Sequence, residues 1–118
     1  MHATDLFVIE LVRWWCHENE GEFSKFLAED FVYDNGLEAV NREDFLLIRA
    51  GSGAIEDLKI IGVQCCKNAV SVMFEGADSV TYLRHRVCWM VTLDGDCVKR
   101  IAACVGNVLR AEERLVPK

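Results

Sequence analysis

The sequence predicts an α+β fold, with N-terminal helices packed on a curved antiparallel sheet of four or more strands. Three observations predict it. Apolar residues recur at helical spacing in the first fifty positions. From Leu58 onward they crowd into runs rich in Val, Ile and aromatics, and those runs are separated by turns of only two to four residues. Connections that short force antiparallel neighbours, because a parallel crossover needs a dozen or more residues. Helices followed by strands place the helices together on one face of the sheet. The 118 residues are 52% apolar with one proline and eight glycines, which excludes disorder and collagen-like repeats. One domain over residues 1–118 is expected, its core running from about residue 4 to 108 and a charged tail from 110 to 118. A chain of this length buries roughly two-thirds of its unfolded surface, enough for a core without a metal or disulfide staple.

In the first helix Thr4 is the expected N-cap and Asp5 sits at the positive end. Phe7, Leu11, Trp14 and Trp15, flanked by Val8 and Val12, form an apolar stripe wide enough to lie on a sheet. Glu10, Arg13 and Glu18 take the other side, and Gly21 is the expected stop. A shorter helix is expected around Glu22–Ala28 with Phe23, Phe26 and Leu27 buried. Phe31-Val32-Tyr33 then reads as a short β segment closed by the turn pair Asn35-Gly36. Asn41 caps a third helix whose first turn holds Glu43 and Asp44, whose packing side is Phe45, Leu46 and Ile48, and which Gly51 and Gly53 end.

Four strands follow, over Leu58–Cys66, Ala69–Glu75, Val80–Leu93 and Cys97–Val108, with Asp94-Gly95-Asp96 giving the strongest hairpin signal. Alternation divides the longest strand into two faces. Leu83, His85, Val87, Trp89, Val91 and Leu93 form an apolar face interrupted by one histidine, which should turn toward the helices. Arg84, Arg86, Cys88 and Met90 fall on the other, which suits an exposed sheet surface or an interface between protein copies. Ala103, a small residue in mid-sheet, leaves room beside Ile101.

Thirteen basic against nineteen acidic residues leave a charge of −6, which argues against a phosphate-tracking, nucleic-acid-binding surface. The first fifteen residues lack a basic segment and a small-residue cleavage site, and their longest apolar stretch, Leu6–Ile9, is too short for a membrane. Of the six cysteines, Cys65, Cys66, Cys88 and Cys104 lie within apolar runs, where a free thiol behaves as a small hydrophobe. No pair has CxxC spacing. Reduced structural thiols and a cytoplasmic location are the expectation. His85 and Cys88 fall on opposite faces of a strand, and His17 beside Cys16 has no further ligand nearby, so no metal or other cofactor is expected.

The order of elements resembles the NTF2-like fold, in particular its SnoaL-like and ketosteroid-isomerase branch, over about Leu6 to Val108. The local signatures are Leu27-Ala28-Glu29-Asp30-Phe31-Val32-Tyr33-Asp34 and Trp89-Met90-Val91-Thr92-Leu93-Asp94-Gly95. The resemblance implies a cone-shaped pocket between helices and concave sheet, and a homodimer through the outer face carrying Arg84, Arg86, Cys88 and Met90. It puts Asp34 where the isomerases hold the aspartate that abstracts a proton, a role a carboxylate in an apolar pocket suits. An Asx-turn before Asn-Gly explains the same residue. SnoaL-like cyclases pair a pocket histidine with an aspartate, which implies a couple of His85 and Asp34. A His85 satisfied by backbone or by Glu75 is the alternative.

By that resemblance Trp89 stands about where ketosteroid isomerases carry a neutral carboxylic acid, and an indole has no carboxyl group. Trp14, near the position of that family's donor tyrosine, either donates one hydrogen bond or merely packs. Limonene epoxide hydrolases, of the same fold, use two aspartates and an arginine. Here Cys88 stands where Arg-x-Asp is wanted, and the last strand holds no acid. The resulting expectation is a small hydrophobic ligand in a pocket lined by Trp14, Trp15, Val87, Trp89, Ile101 and Ala103. Proton transfer of isomerase, cyclase or dehydratase type would use Asp34 as base and His85 as acid. The alternative is a non-catalytic binding or dimerisation module, in which Asp34 is bonded to its own turn.

Overall fold

The computed structural model describes residues 3–107, so the expected charged tail and the last residue of the final strand, Val108, lie outside the described residues. Two helices, α1 (Ala3–Trp15) and α2 (Arg42–Gly51), pack on one sheet of six strands: β1 (Leu27–Asp34), β2 (Ala39–Asn41), β3 (Ile55–Cys66), β4 (Ala69–Asp78), β5 (Arg84–Asp94) and β6 (Cys97–Asn107). Their order across the curved, unclosed sheet is β2-β1-β6-β5-β4-β3. The antiparallel meander of the last four strands is as the turns require. The sheet is mixed, however, because β1 runs parallel to β6. That pairing joins segments some seventy residues apart and leaves no local periodicity to read.

Alternation places Val70, Val72, Phe74, Trp89, Val91, Ile101 and Ala103 on the face under the helices, where all are buried. From α1 they meet Val8, Leu11, Val12 and Trp14, and from α2 they meet Phe45. Asn41 caps α2 as expected, its side-chain oxygen accepting the Asp44 N–H at 2.9 Å. The β5–β6 turn is Gly95-Asp96, with Gly95 at φ 60°, a conformation that costs glycine nothing. No helix among the described residues is long and apolar enough to cross a membrane.

Several boundaries differ from expectation, each for a local reason. Thr4 lies inside α1, which already begins at Ala3. The helix ends at Trp15, well before Gly21, because His17 adopts the left-handed conformation (φ 62°). The His17 N–H bonds the Trp14 carbonyl and the Glu18 N–H bonds the Arg13 carbonyl, completing a Schellman cap without glycine. The helix expected over Glu22–Ala28 is a single 3₁₀ turn, Ser24–Phe26, since β1 already claims Leu27 and Ala28. Too few residues remain to repay helix nucleation. Phe23 and Phe26 instead pack on each other and on Phe7 of α1.

The strand expected from Val80 starts at Arg84. Upstream, the Asp78 carboxylate accepts the N–H groups of Val80 (2.7 Å) and Thr81 (3.0 Å), closing a loop in which Tyr82 has φ 61°. Those bonds, first Thr81 and then Val80, hold the Asp78 carboxyl below its ordinary pKa. Leu83, expected to face the helices, is therefore 54% exposed.

The cysteine environments are also rearranged. Cys16 is buried, whereas Cys65, Cys66 and Cys104 are exposed and Cys88 is half-buried. Only one face of the sheet is covered by helices, so an apolar run does not guarantee that every residue in it is buried.

Candidate functional site

The concave face is built from β1, β5 and β6 with both helices above it. Alternation in β1 turns Phe31 and Tyr33 inward, and both are buried. Across the same face lies Trp89, fully buried, with Ala103 its direct partner on β6. Ala103 thus lies beside the largest side chain of the face. Trp15 of α1 stacks on Phe45 of α2 (centroids 4.5 Å apart, 8° between planes) and approaches Tyr33 at 5.6 Å and Trp89 at 6.0 Å. Phe74 meets the Trp89 edge at 5.4 Å. Burial raises the Tyr33 phenol above its ordinary pKa of 10.0. The neighbouring Trp89 indole opposes this in part without reaching hydrogen-bond geometry.

Four buried side-chain atoms have no hydrogen-bond partner among the described residues: Asp5 Oδ1, Arg84 Nη2, His85 Nδ1 and Trp89 Nε1. The last two stand four positions apart on the helix-facing side of β5. An unmatched buried polar group costs about 1–3 kcal/mol, so such atoms ask for an explanation. His85 is not satisfied by Glu75, which lies on the outer face and is engaged by Arg86 and Arg84. Arg86 chiefly, then Arg84, keeps the Glu75 carboxyl below its ordinary value.

The structure does not bring Asp34 and His85 together. In β1 Asp34 follows the inward Tyr33 and so projects from the outer face. There its Oδ1 accepts the Gly36 N–H (2.8 Å) and its Oδ2 accepts from Arg100 (2.7 Å). Asp34 is in register with Ala102, and Ala102 with Met90. His85 is five positions further along β5, about 17 Å at the usual strand rise, and points to the other side. The alternation Phe31, Tyr33 against Val32, Asp34 carried this signal: the two aromatics claim the core, which leaves the carboxylate outside. The expected pocket omitted Phe31, Tyr33 and Phe74 of the concave face, among others, and Phe45 of α2 above it.

Of the six expected lining residues, Trp14, Trp89, Ile101 and Ala103 are core, while Trp15 and Val87 are partly buried against it. Trp14 packs between Phe23 and Phe45, with the Arg49 guanidinium 4.3 Å above its ring. Two clefts among the described residues lie elsewhere. One, of about 250 Å³, is bounded by Phe7, Phe26, Leu93 and Gly95. The other, of about 260 Å³, lies along β3 and β4 between Ile61 and Met73. On the outer face, Arg84 and Arg86 are tied to Glu75, and Arg84 also to Asp57. Met90 there is 45% exposed. No group of three or more His, Cys, Asp or Glu is gathered to hold a metal among the described residues.

No family model matches the sequence, and no curated protein does. Solved structures do match in shape. A "putative ketosteroid isomerase" from Kribbella flavida superposes with a TM-score of 0.74 at 17% identity, over 98% of this chain and 88% of that one. An LEH-like epoxide hydrolase from M. tuberculosis gives 0.68 at 22% identity, covering 84% and 79%. An NTF2-like protein of unknown function from Cytophaga hutchinsonii gives 0.59 at 13%, covering 86% of each. The fold of this chain is NTF2-like.

Proposed function

We propose that this NTF2-like chain binds a small, largely apolar molecule carrying a hydrogen-bond acceptor, held against the concave side of the sheet. The observation that carries the reading is the pair of buried atoms on β5, Trp89 Nε1 and His85 Nδ1, unmatched among the described residues. An indole nitrogen only donates, so the group it seeks is a carbonyl, ether or similar oxygen. Trp15, Tyr33, Phe45 and Phe74 supply aromatic walls suited to a flat apolar body.

The geometry favours binding over base catalysis by Asp34. Its carboxylate is bonded to its own turn and to Arg100 on the far side of the sheet. Proton transfer, where it occurs, falls to His85, the titratable group on the helix-facing side of β5, four positions along the strand from the orphaned indole. Names among the fold's neighbours, isomerase and epoxide hydrolase, are compatible with a small organic ligand. Water activation by paired acids has little support, because β6 carries neither Asp nor Glu.

The test is a thermal-shift series with aromatic and alicyclic ketones beside hydrocarbons of equal size. A ligand at a hundred times its Kd stabilises by about 2.7 kcal/mol, a readily measured shift. Ketones are expected to raise Tm more than the hydrocarbons do, and the excess should vanish in Trp89→Phe and shrink in His85→Ala, each compared with its own free form. Equal shifts for ketone and hydrocarbon, or an excess that survives Trp89→Phe, would overturn the reading.

A further inference from the structure

On the outer face, away from the concave site, the β5–β6 ladder sets Cys88 directly opposite Cys104. Each alternates with a buried inward neighbour, Trp89 and Ala103, so both thiols project to the same side. Both are free; Cys88 is half-buried and Cys104 exposed. Opposed residues of an antiparallel pair hold their Cα atoms about 4.5–5.5 Å apart, within the roughly 4.4–6.8 Å that a disulfide spans. The other cysteines are not so arranged. Cys65 and Cys66 are consecutive in a strand and face opposite sides, Cys97 is in register with Asp94, and Cys16 is buried.

We propose that Cys88 and Cys104 form a thiol–disulfide exchange site that closes a cross-strand bridge, with a small disulfide such as oxidised glutathione as the oxidant. The Cys104 thiolate, the more accessible, attacks one sulfur of the oxidant. An S–S bond forms to Cys104 and one glutathione leaves as thiolate. The Cys88 thiolate then attacks the Cys104 sulfur, forming the Cys88–Cys104 bond and expelling the second glutathione. The two cysteines lose two electrons to the oxidant, and their two protons end on the two glutathione thiols. An exposed bridge of this kind is open to the reverse reaction with excess thiol.

The whole chain, incubated with oxidised glutathione, is read by intact mass and by mapping of peptides under non-reducing conditions. The expected product is a monomer whose Cys88 and Cys104 peptides are joined and together two hydrogens lighter, restored to the starting masses by dithiothreitol. Cys88→Ser and Cys104→Ser should each stop at a glutathione adduct on the remaining thiol, whereas Cys97→Ser should bridge as the parent does. Bridges from Cys88 or Cys104 to other cysteines, chains linked through the outer face of two copies, or a persistent glutathione adduct on Cys88 or Cys104 of the parent protein would each overturn the proposal. Far-UV circular dichroism of both serine variants separates loss of the bridge from loss of the fold.

Discussion

Cys16 follows the last residue of α1 under the sheet's edge, and its carbonyl accepts the Ile55 N–H that starts β3. Burial, helped by the nearby Glu18 charge, pushes its thiol up to about 12 from an ordinary 9.0. The folded state therefore holds this proton over a range in which the unfolded chain has released it. Unfolding then releases a proton, so stability is intact below pH 9 and falls as pH climbs toward 12. Thermal melts between pH 8 and 11 should show a steeper decline for the parent than for Cys16→Ala; parallel curves would refute the assignment. The same burial makes Cys16 the slow thiol toward a disulfide reagent, and Cys104 a fast one.

At the scale of elements, the end of α1 rests on His17. A β-carbon in the left-handed region costs about 1–2 kcal/mol, and the ring offsets this by bonding across to α2. Its Nε2 contacts the Arg49 carbonyl at 2.8 Å, and its Nδ1 contacts Glu20 at 3.1 Å. Arg49 in turn donates to the Trp14 carbonyl at 2.8 Å. His17→Ala keeps the strained backbone and loses the bonds, so urea unfolding should show a loss of about 1–2 kcal/mol. His17→Gly relieves the strain and should lose less. An alanine variant as stable as the parent would show that the cross-helix bonds contribute nothing. A second tight fit lies at Gly76, where a β-carbon would come within 2.0 Å of the Ile55 methyl, so β3 crosses β4 closely only over glycine.

Across the whole molecule, the two sides of the sheet do different work. The concave side collects aromatic rings and the unmatched Trp89 and His85 atoms. The outer side collects ion pairs, Asp34–Arg100 and Glu75 with its two arginines, together with the opposed thiols. Asp34 and Arg100 are both substantially exposed, and such pairs contribute about 0–1 kcal/mol. Asp34→Asn retains an oxygen for the Gly36 N–H, so stability should move by less than about 1 kcal/mol and the ketone-induced shift should be unchanged. A lost shift in this variant would return Asp34 to the site and revive base catalysis.

Much of this was legible in the residues themselves. Period-two alternation from Arg84 to Leu93 announces which side of β5 is apolar, Asp-Gly announces the last hairpin, and Asn41 followed by Glu43-Asp44 announces the start of α2. The same alternation in Phe31-Val32-Tyr33-Asp34 held the answer about Asp34, although a likeness to catalytic relatives pointed the other way. Other features were outside its reach. Parallel pairing of β1 with β6, the loop drawn up around Asp78, and a glycine-free cap at His17 arise from contacts between distant segments or from backbone states that no side-chain pattern marks.

Local spacing determines which residues share a face because strand and helix periods are properties of the backbone alone. Whether that face meets helix, solvent or another strand depends on how the elements assemble. Tertiary packing alone therefore decided that Cys16 is buried while Cys104 is open, and that β1 lies beside β6 in a register that leaves Asp34 five strand positions from His85.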